Sequence, residues 1–535
     1  MDRPIMTKRH QFAPRLLPGW TLVVVICIAV FALWAPDLDL PLGNSDDGRI
    51  FGRAGLQARN FWEMGPVESQ FGAVMDPYIR AEYDVPPRSE PPPAAVTYAH
   101  HPPLRLFITI ASFGVLGDNL PALRITDFLI GAATVALMAS LLRVVGLHWG
   151  PILLALMVMA STGFFYVFAR HGISFSLLLA LTATVAKLRQ VERPPRSALA
   201  GAAALAALTA LHSWIAIASL GLLVPWLFVG TIQRRCKDAG EGSAPIRSLS
   251  QMARLGWSPA LIAIATGALA GGLLTAAWLL NATDIGELGE RVAFRTGTDV
   301  STAIEQRNFS FGEFLARQWR FASHELMTSW WLRLLLLPAL VAAFVDRRTR
   351  GPALVTLAVA ASLTFVFQQG AWIHRLWNVP WLAPTVIGVA ALADAARRAL
   401  RGPAARLRWP VGLAAALVPV ATLAVVVTGP TRDFYLTNPA DAGAVLEHAV
   451  ATAPEVDEAE LIWIASGLST ARWASYYLDL PVWSLDESKL DDIVASDLVL
   501  LRNDRIPDFV PESALAHALA VGESYTLITA DELIQ

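Results

Sequence analysis

Eleven stretches of this chain are apolar for long enough, or nearly long enough, to cross a bilayer, and that recurrence limits what the chain can fold into. They run 17–36, 121–145, 148–168, 172–188, 197–212, 214–231, 257–280, 330–345, 352–368, 379–396 and 409–428. A helix crossing the hydrocarbon core needs about 20 mostly apolar residues at ~1.5 Å each. Charged residues make up 16% of the 535 positions, against about a quarter in soluble proteins. The sequence predicts a polytopic α-helical membrane protein with about eleven transmembrane helices. The first run follows Arg3, Lys8, Arg9 and Arg15, a layout shared with signal peptides. Its length and the unsuitable cleavage sequence Trp34-Ala35-Pro36-Asp37 point instead to an uncleaved first helix.

Charge placement then orients the chain. A further apolar segment, Leu104–Gly117, is too short to span and suits an interfacial or re-entrant helix. With it left outside the count, the basic loops 187–196, 232–256, 346–351 and 397–408 all fall on the cytoplasmic side, as cytoplasmic loops rich in Lys and Arg should. Counting it as a span would put every one of them outside. The expected arrangement is a multi-pass protein of the plasma (inner) membrane, with a cytoplasmic N-terminus and three outer segments: 37–120, 281–329 and 429–535. Residues 1–428 form the membrane domain. The tail 429–535 alternates short apolar runs (461–465, 481–485, 498–501, 525–528) with helical segments (Asp441–Ala453, Leu468–Leu478), which predicts a small extracytoplasmic α/β domain. It carries no Gly-rich phosphate loop and no metal-spaced cluster, so no catalytic role is expected of it. Pro86–Pro93 reads as an ordered turn or stiff spacer in the first outer loop. Cys27 lies in an apolar run and Cys236 in a basic loop, which argues against a disulfide framework. A net charge of -2 gives no reason to expect a nucleic-acid partner.

Four polar constellations map to the outer face. Asn44-Ser-Asp46-Asp47-Gly-Arg49 opens an expected amphipathic helix Asp47–Met64. An acidic residue there suits a helix N-terminus, so capping is the bland reading of the pair. Tyr98-Ala-His100-His101-Pro102-Pro103-Leu104 leads into the short apolar helix, and its histidines could donate to a phosphate at the bilayer edge. Ala169-Arg170-His171-Gly172 and Gly370-Ala-Trp-Ile-His374-Arg375-Leu-Trp377 sit at outer junctions between spans, where an Arg commonly anchors its helix. Each alone reads as structural. Their convergence on one face points to a site.

In this order the motifs resemble the GT-C type membrane glycosyltransferases, above all the superfamily of dolichyl-phosphate-mannose protein mannosyltransferases and bacterial aminoarabinose transferases. The order is a first span, an acidic pair at a helix start, Tyr-x-x-His-Pro-Pro-Leu before a short helix, then an Arg opening the next span. The resemblance is sharpest over 37–215, echoes weakly at 365–384 and leaves out the tail. It implies that Asp46, or its neighbour Asp47, is the catalytic carboxylate. By the same resemblance Arg49 matches an Arg one turn along that helix, and His101 sits where relatives carry His or Lys against the lipid phosphate. Arg124 and Arg170 match recurring arginines, and His374 with Trp377 matches a His/aromatic pair. Tyr98, His100 and Arg375 complete the expected substrate- and lipid-phosphate-binding set. The chain departs from the pattern after Arg170, where His-Gly-Ile-Ser-Phe lacks the Asp of many relatives, and at His212, where Lys is more usual.

The reaction so implied is an inverting transfer of a sugar from a polyprenyl-phosphate donor to an acceptor hydroxyl of a protein, lipid or envelope glycan. Asp46 would take the hydroxyl proton while Arg and His groups stabilise the leaving phosphate. No metal or other cofactor is expected if those cations do this work, and a divalent cation stays open. The alternative is a transporter or flippase of a lipid-linked or anionic substrate, which would show midplane charges and matched broken helices in two halves. A membrane sensor is a third reading, supported only by the tail.

Overall fold

A computed structural model describes residues 17–75, 97, 102–212, 214–238, 256–282, 286, 289, 309–323, 330–373, 375–400, 408–429, 432–465, 472–485 and 487–534. Every one of the eleven apolar stretches is helical over most of its length. These helices are α1 (Leu17–Trp34), α4 (Leu120–Val144), α5 (Trp149–Ala160), α6 (Ile173–Leu188), α7 (Arg196–His212), α8 (Trp214–Asp238), α9 (Pro259–Ala282), α11 (Trp330–Val345), α12 (Arg350–Phe365), α13 (Leu382–Ala399) and α14 (Arg408–Thr428). Between them lie α2 (Asp46–Met64), α3 (Leu104–Leu116) and α10 (Phe311–Phe321).

Among the described residues five helices are long and apolar enough to cross a membrane: Gly19–Asp37, Leu120–Val144, Ile217–Cys236, Pro259–Asn281 and Arg375–Ala399. A bent pair, Trp149–Ala160 with Phe164–His171, makes a sixth if it is one span. Leu269, Leu273 and Leu337 stand 63%, 62% and 71% exposed, a surface that suits lipid and not water. The molecule is a multi-pass membrane protein. Helix α3 has 13 residues, roughly 20 Å, and packs against α2 and α4. Cys236 corrects one expectation, because α8 continues through Asp238 and carries it on helix instead of loop. The Pro86–Pro93 spacer lies outside the described residues.

The break after α5 redirects the chain against α4 and α6. The chain turns by 72° into a π-helical turn, Phe164–Phe168. The Ser161 and Thr162 hydroxyls donate to the carbonyls of Val158 and Met159 at 2.8 and 2.9 Å. They satisfy carbonyls that a regular helix would have paired with its next turn, which matters where water is scarce. The 3-10 turn Ala169–His171 follows directly and is buried.

The tail contains a mixed five-stranded sheet in the order β2-β1-β3-β5-β4. Its strands are β1 (Ile462–Ala465), β2 (Val482–Leu485), β3 (Leu498–Arg502), β4 (Ala520–Val521) and β5 (Tyr525–Thr529). β1 runs parallel to β2 and β3, and β5 runs antiparallel to β3 and β4. Helix α15 (Asn438–Thr452) packs on β4 and β5, and α16 (Arg472–Leu478) packs on α15, β2 and α2. Phe51 and Leu56 of α2 share one core with Leu446, Trp473, Ile462 and Leu500. The close approach needs glycine: a Cβ on Gly52 would lie 2.8 Å from the Trp473 backbone, and one on Gly55 2.7 Å from the Tyr476 ring.

Candidate active site

The segment entering α2 is fixed from both sides. Ser45 is the N-cap, its hydroxyl accepting from the Gly48 N–H at 3.2 Å. The cap role expected of the acidic pair therefore belongs to Ser45, and Asp46 and Asp47 fall in the first turn. From the tail, Tyr477 accepts the Leu42 N–H at 2.6 Å, and Asn44 donates its backbone N–H to the Pro439 carbonyl at 3.2 Å.

Asp47 then points inward and is buried. Arg124, one turn into α4 and also buried, donates to Asp47 Oδ2 at 2.6 Å. The same guanidinium donates to the carbonyls of Leu38 and Leu40, so one side chain ties the incoming segment to the carboxylate. Asp47 Oδ1 lies 3.4 Å from His171 Nε2 and has no hydrogen-bond partner among the described residues. Burial alone would push the Asp47 carboxyl up. The charge and hydrogen bond of Arg124, with His171 and Arg170 beside it, outweigh burial and hold it down at about 2, so it is a carboxylate at neutral pH.

Two further ion pairs flank this one. Arg105 of α3 donates to Asp127 of α4 at 2.9 Å and to the His171 carbonyl at 3.4 Å. Arg170 donates to Asp37 Oδ2 at 2.8 Å, and Arg432 reaches Asp37 Oδ1, also at 2.8 Å. Phe51, one turn after Asp47, is wedged among Arg105, Arg124 and His171, at 4.9, 5.6 and 5.4 Å from its ring. Among the described residues the cluster holds four arginines against three aspartates. The surplus charge, with Arg432 half-buried at the edge of the cluster, suits an anion.

Of the expected site residues, the structure brings Asp47 and Arg124 into direct contact. Arg170 is committed to Asp37, with only its field reaching Asp47. Arg49 is half-buried on the first full turn of α2. Arg375 stacks over the Phe321 and Tyr435 rings at 5.3 and 4.9 Å, and Tyr435 packs edge-on to Phe168 at 5.7 Å, two residues before Arg170. Tyr98, His100, His101 and His374 lie outside the described residues, as does the side chain of Asp46. Asp37, Arg105, Asp127 and Arg432 were not singled out from sequence. Asp127 carried a usable signal, an acidic residue inside an apolar run three positions after Arg124. Arg432 carried none, because its partner is nearly four hundred residues away.

No protein-family model matches the sequence, and no curated protein sequence matches it. Solved structures do match. ArnT from Cupriavidus metallidurans bound to undecaprenyl phosphate aligns over 96% of this chain and 98% of its own, with a TM-score of 0.54 and 14% identity. The apo state of the same protein aligns over 97% and 99%, with a TM-score of 0.46 and 14% identity. This chain has the fold of an aminoarabinose transferase of the GT-C type.

Proposed function

We propose that the protein is an inverting glycosyltransferase that moves a sugar from a polyprenyl-phosphate donor to an acceptor hydroxyl at the outer face of the plasma (inner) membrane. The observation that carries this is the Asp47 carboxylate, ionised and buried, with one oxygen on Arg124 and the other, beside His171, without a hydrogen-bond partner among the described residues. Its setting in the fold of a transferase solved with undecaprenyl phosphate supports the lipid donor. The acceptor oxygen attacks the anomeric carbon, its proton passes to Asp47 Oδ1, and the bond from carbon to the phosphate oxygen breaks with its electron pair on the phosphate. A carboxylate of such low pKa is a weak base, so it takes the proton late, once the forming bond has made the hydroxyl acidic. The surplus arginine charge favours the phosphate as its negative charge grows.

Arg375 belongs to the turn Arg375–Trp381, whose Asn378 and Trp381 line an apolar cavity of about 610 Å3 with Phe164, Trp319 and Leu336. A prenyl chain seated there would bring its phosphate toward Arg375, and His101 and His374 join that phosphate set from their motifs. The eleven helices all cross in this reading, the tail is extracytoplasmic, and cations of the chain replace a metal. The charged residues around Asp47 come from helix ends and connecting turns and not from matched broken helices, which disfavours a transporter.

The test is turnover by the purified protein in nanodiscs with polyprenyl-phosphate sugars, read as release of free polyprenyl phosphate, beside mass spectrometry of envelope glycans with and without the gene. Sugar transfer is the expected result. Translocation of the intact lipid without cleavage would overturn it.

A further inference from the structure

Near Asp47 several buried polar atoms keep hydrogen-bonding capacity that the transfer step leaves unused. Asp127 is 2% exposed; its Oδ2 accepts from Arg105, and its Oδ1 has no partner among the described residues. His212 ends α7, which packs against α3 and α6, and neither of its ring nitrogens is hydrogen-bonded among the described residues. His171 Nδ1 and Arg105 Nε are likewise unpaired. These groups feel one another: Asp47 acts on Asp127, and Arg105 acts on both Asp127 and His212.

Buried polar atoms left unsatisfied are costly, and several in one place mark where a ligand or ordered water belongs. Their character narrows the ligand. A carboxylate oxygen only accepts, a guanidinium nitrogen only donates, and an imidazole can do either. A phosphate would satisfy the donors and be repelled by Asp127. Neighbouring hydroxyl groups on a sugar ring both donate and accept, and a ring ammonium donates to the carboxylate, so together they satisfy the set.

We propose that Asp127, His171 and His212 form the subsite that holds the sugar ring of the donor through its hydroxyl or amine groups, beside Asp47 and apart from the lipid phosphate. This rests on the glycosyltransferase reading above. Asp127 and His212 are then specificity determinants that never touch the reacting bond.

Binding of four probes to the full-length protein in nanodiscs tests it: farnesyl phosphate alone, and farnesyl phosphate esterified to a pentose, an amino-pentose or a hexose. The wild-type chain should bind at least one sugar-bearing probe more tightly than farnesyl phosphate. Asp127→Asn and His212→Phe should each remove that preference, weakening the favoured probe by about 10- to 100-fold while leaving farnesyl phosphate within a few-fold. His212→Phe breaks no ion pair, so it carries the test if Asp127→Asn fails to fold. Equal loss for all probes would make these residues structural, and unchanged preference would make the space merely water-filled. Either result overturns the subsite, as does a wild type that prefers no sugar while still binding farnesyl phosphate. A wild type that binds none of the four overturns the donor reading itself.

Discussion

Arg124 donates to Asp47 at 2.6 Å and, with its other amino group, to the carbonyls of Leu38 and Leu40. One guanidinium thus sets where the carboxylate stands and keeps it ionised. Arg124→Gln leaves a buried carboxylate without its main counter-charge, which costs about 3–5 kcal/mol. A fall in the unfolding midpoint in detergent, measured against the wild type, checks this.

The same contact predicts a pH dependence. Asp47 is held at about 2, below its ordinary value of 3.8, so it stays ionised as pH falls through the mildly acidic range. An acid limb from Asp47 should therefore be missing from the wild-type rate profile above about pH 4. In Arg124→Gln burial is no longer outweighed, the Asp47 pKa rises, and an acid limb enters the measured range. Identical profiles for the two proteins would contradict this assignment.

Gly52→Ala probes the seat of α2 on the tail. A helix ordinarily gains about 1 kcal/mol from such a change. Here the new Cβ meets the Trp473 backbone at 2.8 Å, and overpacking of this kind costs about 1–3 kcal/mol. Gly150→Ala, with nothing within 4 Å, is the control. The expected outcome is a lowered melting temperature and reduced turnover for Gly52→Ala alone.

Topology has its own check. In a background without Cys27 and Cys236, an impermeant thiol reagent should label a cysteine at position 457 in the tail and miss one at 401. The reverse pattern would place the tail, and the site it touches, on the wrong side.

Chelation should leave turnover unchanged, since arginines supply the positive charge at Asp47. Loss with EDTA that a divalent cation restores would show that a metal shares that work.

The helical membrane architecture was legible because span length is imposed by the bilayer, and among the described residues five helices carry that length. Four of the five strands were legible from short apolar runs. β4 was not, because two residues are too few to show alternation. The Asp47–Arg124 pair was half legible, since each residue stood out in its own motif but their contact spans 77 positions. What hid Asp37, Arg105 and Arg432 is that an ion pair has no periodicity. Only the folded chain shows that Asp37 gathers Arg170 from the bent helix and Arg432 from the tail. The packing of α16 onto α2 was equally silent, because glycines at 52 and 55 read as helix weaknesses until Trp473 and Tyr476 are seen to fill the space.

The central claim is that Asp47 is the catalytic carboxylate, and the most direct measurement is sugar transfer by Asp47→Asn beside Asp46→Asn. Both changes keep side-chain volume, and Ser45 supplies the cap in either variant. Asp47→Asn should lose on the order of 10²–10⁴ in rate while remaining folded, and Asp46→Asn should stay within a few-fold of wild type. Near-normal turnover by a folded Asp47→Asn protein would contradict the account.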